Sequence, residues 1–374
     1  MMSREGSGMG MRTINCYLYD NEAIAFLLQG VIRFVQARRL MNVIFQRSWT
    51  HGFHMKISFP AAEADNGLES VIRRLAERYS RPRPQTEYDD YENILHKLAQ
   101  LEGYNGDYLP LRIDGEVTVE EEEEFQHNNA IGSFRMNYEI ELLKSQLLVD
   151  LFDTWTALSA ERQNIECAKI FLINVNRSAG GLRYGYLSLR ANLEYIKGQM
   201  ELSSRQNGAE WSIWENLFSR TEEEQQFIQV GLRRFAEGKY EREFIFSRLQ
   251  IFIDCMLSIL NQAFEEGEIT LQKLLESSDF IQRYDALNDF HLIYHSLADF
   301  QKHCHDRGFI IYRMIDSILY SLMSLLQVSA VRKQRISGLV AETVEQGLSL
   351  NWREAYLELS AMLMNGEANE RMVH

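Results

Sequence analysis

The sequence predicts an α+β protein: an N-terminal antiparallel sheet with helices, followed by a largely helical C-terminal half. Three observations carry this. All four prolines (Pro60, Pro82, Pro84 and Pro110) fall between residues 60 and 110. Proline breaks helix interiors, so the proline-free remainder, with apolar residues at helical spacing, reads as mostly helix. The runs NVIFQR (42–47) and HMKISF (54–59) alternate as strands and are joined by SWTHGF, where Gly52 can supply a positive φ.

The elements follow in order. The segment MMSREGSGMGMR (1–12) reads as a flexible tail, and residues 13–374 as a single domain, mixed over 13–135 and mostly helical over 136–374. INCYLYD (14–20) alternates as a strand with Ile14, Cys16 and Leu18 on one face. Asp20 or Asn21 then caps a helix whose stripe is Ile24, Leu27, Leu28, Val31, Ile32 and Val35. In the second hairpin strand Met55, Ile57 and Phe59 face one way, and His54, Lys56 and Ser58 the other. Leu68, Val71, Ile72, Leu75 and Tyr79 mark another helix, RPRPQ a linker, and residues 89–100 a short helix. The run Glu120 to Glu124 reads as a solvated segment in a loop with room for one strand. Beyond about residue 137 helices dominate, with GGLRYGYLSLR (180–190) as a candidate strand and 243–260 as a buried central helix.

Composition narrows the function. A formal net charge of −14 and the lack of a basic stripe argue against nucleic acid. Cys16, Cys167, Cys255 and Cys304 form no CxxC pair, which argues against a disulfide framework or zinc ribbon. No uninterrupted apolar run is long enough to span a bilayer, so a cytoplasmic protein is expected. No phosphate-loop, dinucleotide-binding or nucleophile-elbow motif is present, and no cofactor is expected.

The strongest local chemistry is the hairpin, where Arg47, His51, His54 and Lys56 gather around a turn. Cations and imidazoles together can bind a carboxylate, stabilise charge on a carbonyl or move a proton. The plain alternative is a solvated strand face. A second cluster is Arg183, Tyr184, Tyr186 and Arg190 at an expected strand-to-helix junction capped by Ser188. Its plain alternative is a surface ion pair between Arg190 and Glu194. His291 and His295 are four apart, with His303, Cys304 and His305 beyond, but HLIYH lacks a zinc-protease glutamate, so no metal is expected.

VIFQRSWTHGFHMKISF resembles the hallmark near the start of the C-terminal domain of lantibiotic dehydratases, a domain that also occurs alone in thiopeptide biosynthesis. Arg47 and Trp49 fit the family's strand ending, and Gly52, Phe53 and His54 fit its Gly-Pro-His with phenylalanine for proline. Lys56 stands where an arginine is usual. YNGDYLPLRIDGEVTVEE resembles the family's proline and acidic loop, and residues 312–345 its closing helices. In SLRANLE, Ser188, Arg190 and Glu194 fit the eliminating type, but Asn192 replaces an expected histidine.

The resemblance implies a tailoring enzyme of ribosomally made peptides, and three activities stay open. The favoured one eliminates glutamate from glutamylated Ser/Thr to give dehydroamino acids, which makes the protein a lyase. The others are a [4+2] aza-cycloaddition that forms a pyridine, and leader-peptide binding without catalysis. The resemblance implies catalytic roles for His54, Arg47 and Lys56 and substrate contacts from Arg190, Tyr186, Trp49, Arg183 and Glu194. Because an isolated cation cluster repels itself, Arg47, His54, Lys56 and Arg190 are expected to converge on one pocket lined by Trp49 and Tyr186. The implied partners are a precursor peptide with its leader, a separate glutamylating dehydratase and a second copy of the chain in a homodimer.

Overall fold

The computed structural model describes residues 10–102, 104–122, 132–178, 180–207, 218–269, 290 and 306–364. The chain divides into two compact units, Met1–Phe152 with Leu325–Gln327, and Asp153–Ser324 with Val328–His374. The α+β expectation holds.

The first unit runs β1 (Met11–Tyr17), α1 (Asn21–Arg38), β2 (Ile44–Ser48), β3 (His54–Pro60), a 3-10 turn (Ala61–Asn66), α2 (Leu68–Tyr79), α3 (Gln85–Glu102), β4 (Val117–Glu122) and α4 (Phe134–Thr156). The strands form a 4-stranded antiparallel sheet in the order β2-β3-β1-β4. Opposed residues of an antiparallel pair share a face, and the register makes one face apolar. Ile14 opposes Ile57, which opposes Phe45, and Cys16 opposes Met55. All five are buried with the α1 stripe from Ala23 to Val35. Helix α2 lies on this face, where Arg12 of β1 reaches Glu69 at 2.6 Å.

Helix α4 closes the outer edge of β2. Its Ser145 hydroxyl accepts from the Phe45 amide at 2.9 Å, and Phe134, Tyr138 and Leu142 pack on Met11 and Ile44. That amide would otherwise be an unpaired edge donor.

Asp20 occupies the N-cap position of α1 but makes no side-chain cap bond. Its carboxylate instead lies 2.7 Å from Arg83 and 3.1 Å from Arg81. Arg83 is the centre of a clamp, since it also bonds Asp114 at 3.0 Å and Glu87 at 2.7 Å. Asp114 accepts from the Tyr19 and Arg81 amides as well, so the segment after α2 is tied to the end of β1. Helix α3 begins at Gln85, ahead of the expected start. Part of the glutamate run, Glu120 to Glu122, is in strand β4, with Glu120 and Glu121 solvated as expected.

The second unit is helical among the described residues: α5 (Ala160–Arg177), α6 (Gly181–Gly185), α7 (Leu187–Asn207), α8 (Glu222–Ala236), α9 (Phe244–Glu265), α10 (Arg307–Leu325), α11 (Ala330–Leu348) and α12 (Trp352–Met364). Ser159, Thr221 and Ser329 cap α5, α8 and α11, and Thr221 forms a reciprocal capping box with Glu224. Glu224 is fully buried and also accepts from Asn164 of α5 and Arg335 of α11, which joins the three helices.

The expected strand at 180–190 is absent. The alternating Tyr184, Tyr186 and Leu187 belong to α6, a connecting residue and the start of α7, and Ser188 is inside α7 and not its cap. Helix α9 buries one face (Ile245, Leu249, Phe252, Met256 and Leu260) but leaves Phe244 and Ile251 exposed, so it is not central. By length and composition, α9 and α10 are apolar enough to cross a membrane, and each buries part of that surface within the protein. The histidine cluster His291 to His305 lies outside the described residues.

Burial pushes the Cys16 and Cys167 thiols up to about 12, whereas Cys255 is half-buried. A thiol held protonated and out of solvent does not react. Iodoacetamide at pH 8 should therefore leave Cys16 and Cys167 unlabelled in the native protein and modify both after denaturation. Peptide mapping by mass spectrometry reads this, and rapid native labelling of Cys16 would refute its burial.

Candidate functional site: the polar face of the sheet

The register that makes one face apolar makes the other polar over its middle, with Met11 and Ile44 at one end packed under Phe134, Tyr138 and Leu142 of α4. Asn15 of β1 opposes Lys56 of β3 on one side and Thr118 of β4 on the other, and Lys56 also opposes Gln46 of β2. The next rung holds Ser48, His54 and Tyr17. The rung on the other side holds Ser58 and Thr13, whose hydroxyls lie 2.9 Å apart. Asn15, His54, Thr13, Ser58 and Tyr17 are all buried, although polar side chains are usually exposed.

Three groups on this face lack partners among the described residues. Asn15 Nδ2 donates to the Thr118 hydroxyl at 3.3 Å, but its Oδ1 is buried with no hydrogen bond. Lys56 is half-buried and has no ion-pair or hydrogen-bond partner among the described residues, and neither has Gln46. A buried acceptor without a partner costs about 1–3 kcal/mol.

His54 adds a fourth. Its Nδ1–H donates to the Gly52 carbonyl at 2.8 Å, and because a carbonyl only accepts, the proton is on Nδ1. The Nε2 lone pair is left free, and the ring packs on Tyr17 with centroids 4.5 Å apart. Burial lowers the imidazole pKa to about 4, with smaller contributions from Lys56 and His51, against the pull of the Gly52 bond. The ring is therefore neutral near pH 7, where the sequence suggested a group titrating there. Gly52 has φ +116°, and a Cβ there would come within 2.2 Å of the Tyr19 hydroxyl, so the turn requires glycine.

Arg47 does not join this group. It opposes Met55 and so belongs to the α1 face, where its guanidinium donates to Asn21 Oδ1 at 3.3 Å. The expected convergence of Arg47 with His54 and Lys56 is thus corrected by one residue of strand parity. Burial also lowers the Arg47 pKa. Trp49 meets Tyr104 edge-on and Tyr108 at a tilt, with ring centroids 5.2 and 5.8 Å away. His51 takes φ 59° and is held by backbone bonds to Tyr108 and Arg112. Both anchor the turn to the 104–112 loop.

The remaining candidates belong to the second unit. Arg190 bonds Glu194 at 2.8 Å and Glu345 at 3.1 Å, so its charge is already matched by two carboxylates. Glu345 was not legible as a partner, being 155 residues away. Its pKa is raised, chiefly by burial and against Arg190. Tyr186 is fully buried, and burial, then Glu345, raises its phenol pKa. Arg183 forms a two-point ion pair with Glu358 on the surface, 2.8 Å at each contact. A separate buried network was also missed. Asp316 accepts from Asn174 at 2.8 Å and from Ser188 at 3.3 Å, and Ser188 bonds the Tyr312 hydroxyl. Burial pushes the Asp316 carboxyl up to about 6. No cluster of three or more His, Cys, Asp or Glu suited to a metal occurs among the described residues.

These features define an α+β protein with a buried polar sheet face and a helical second unit. No protein-family profile and no curated protein matches the chain. Solved structures do. The pyridine synthase TbtD from thiomuracin biosynthesis is similar with a TM-score of 0.54 at 16% identity, over 91% of this chain and 99% of that one. TsrL is similar with a TM-score of 0.56 at 16% identity, over 93% of this chain and 97% of that one. The tRNA dependent lantibiotic dehydratase MibB from a Microbispora species aligns at 0.37 and 13% identity, over 93% of this chain and 29% of that one, too weakly to support an argument. The chain thus shares its fold with TbtD and TsrL across nearly the whole of each.

The neutral His54 makes a prediction with a definite sign. Its pKa falls from 6.5 in the unfolded chain to about 4 in the folded one. Its contribution to stability is then present above pH 6.5 and lost as pH falls towards 4, by about 3 kcal/mol in all. Histidine-labelled NMR should find His54 as the Nδ1–H tautomer, still neutral at pH 5. A midpoint near 6.5 would contradict the buried geometry.

Proposed function

We propose that the protein is a tailoring enzyme of ribosomally made peptides that performs the pyridine-forming step. Two dehydroalanine residues of one precursor peptide join in a formal [4+2] aza-cycloaddition, and loss of water and of the leader peptide leaves the pyridine. The observation that carries this reading is the two-way coverage with the pyridine synthase, 91% of this chain and 99% of that one. Such a reaction depends mainly on holding two parts of one substrate together. A neutral polar surface suits that task, and His54 and Asn15 supply neutral groups beside one cation.

The second reading is glutamate elimination, favoured by Lys56, a cation without a counterion that a glutamate carboxylate could fill. Two features count against it. Arg47 is on the opposite face of the sheet, and Arg190 is already paired with Glu194 and Glu345. Each leaves fewer free cations for the leaving glutamate.

The purified protein should be incubated side by side with a multiply dehydrated precursor peptide and with a glutamylated one. Mass spectrometry is expected to show leader release and a new pyridine chromophore from the first and no change in the second. Loss of a glutamic-acid mass from the glutamylated peptide would replace this reading with elimination. Retention of both peptides, bound but unchanged, would leave a leader-binding protein.

A further inference from the structure

We infer that the central rung of the polar sheet face, Gln46, Lys56 and Asn15, together with His54, is a seat for a backbone amide group of the peptide substrate. This rests on the peptide-tailoring reading above and names the group that the site would recognise.

The inference comes from matching donors to acceptors. A carboxylate has only acceptors, and a metal or ammonium group only demands them. An amide offers both, a carbonyl oxygen and an N–H on neighbouring atoms. The rung offers the complement. Lys56 Nζ is a cationic donor with no partner, and the opposed Asn15 carries a buried acceptor, Oδ1, with no partner. Cross-strand neighbours of this kind have Cβ atoms about 5 Å apart, within the span of one amide group. In the adjacent rung His54 presents a second acceptor, Nε2, because its Nδ1–H is used by Gly52. A carboxylate in the same place would meet Lys56 favourably but would face two lone pairs. An amide satisfies the cation and one of the two acceptors at once, with its oxygen on Lys56 and its single N–H on Asn15 or His54.

Burial favours the same ligand. Asn15 is 3% exposed, while Gln46, Lys56 and Thr118 are only half-buried, so the unpartnered acceptor is the deeper group and the donor the more accessible one. A neutral amide enters such a place at lower desolvation cost than a charged group. Gln46, also unpartnered, can bond a second amide one residue along an extended peptide.

The test is a coupling measurement on fluorescein-labelled synthetic dehydroalanine-containing core peptides. Each backbone amide along the dehydrated segment is replaced in turn by an ester, which removes the N–H and keeps the carbonyl. Binding is read by fluorescence anisotropy with the wild type, Asn15→Leu and Lys56→Met. One ester position should bind the wild type about tenfold more weakly than the all-amide peptide and bind Asn15→Leu no more weakly. Lys56→Met should weaken all-amide and ester peptides alike, by about tenfold. The amide-to-ester ratio compares two ligands on the same folded variant, so partial misfolding cancels from the coupling to Asn15.

No coupling to Asn15 at any position would overturn the seat. So would tighter binding of a glutamylated peptide that is lost in Lys56→Met, which would identify a carboxylate seat. The product assay separates the two levels. If the wild type forms pyridine but shows no coupling, only the seat fails. If coupling is present but neither product forms, the seat stands and the pyridine reading fails.

Discussion

The pairing register of β1 with β3 is the constraint on which the candidate site depends. Opposing Cys16 to Met55 and Ile14 to Ile57 puts the apolar set against α1 and α2. The same register necessarily opposes Asn15 to Lys56 and Tyr17 to His54 on the other side. A slip of one residue would bury Lys56 in the helix-covered core and expose Met55, at a cost far above the stability of a small sheet. The polar face therefore follows from the apolar one, and the turn at Gly52 fixes both.

Burial then decides what the polar face can do. An exposed histidine beside a lysine would be a titrating group near neutral pH. Here desolvation holds His54 neutral, and the Gly52 carbonyl selects its tautomer, so it acts as a hydrogen-bond acceptor of fixed direction. The helical unit shows a different solution. Arg190 is matched by Glu194 and Glu345, and Asp316 by Asn174 and Ser188, so its buried polar groups are largely occupied with one another. On the sheet face the leftover groups are mainly neutral acceptors beside one cation, whereas in the helical unit the leftover atoms, such as Arg190 Nε and Glu345 Oε1, belong to groups already ion-paired.

Much of the fold was legible because period and punctuation agree locally. The α1 stripe, the α2 stripe, the alternation of Met55, Ile57 and Phe59 and the glycine turn are all read within short windows. Errors arose where a long-range partner decided the outcome. Asp20 looks like a helix cap, but Arg83, distant in sequence, takes its carboxylate. The alternating aromatics of 184–187 have strand character, yet the segment is helical and Tyr186 is buried beside Glu345. Arg47 looks adjacent to His54 across the turn, but the register opposes Ser48 to His54 and turns Arg47 to the other face. Asn15 escaped notice as a site residue because alternation marks it as outward-facing, and no local signal says that the outward face is buried.

The two rims of the sheet are treated differently. On the β2 rim, Ser145 of α4 occupies the Phe45 amide. On the β4 rim, Arg73 reaches the Val117 carbonyl, and Glu120 and Glu121 stand exposed. Those side chains act as a charged fence, because a strand from another molecule approaching this rim would have to bury carboxylates or neutralise them. The strand position of Glu120 and Glu121 thus gives them a place on the sheet border that the composition of the run alone does not reveal. Among the described residues no strand pairs with this rim, so the carboxylates of Glu120 and Glu121 set the terms on which a neighbouring copy could extend the sheet.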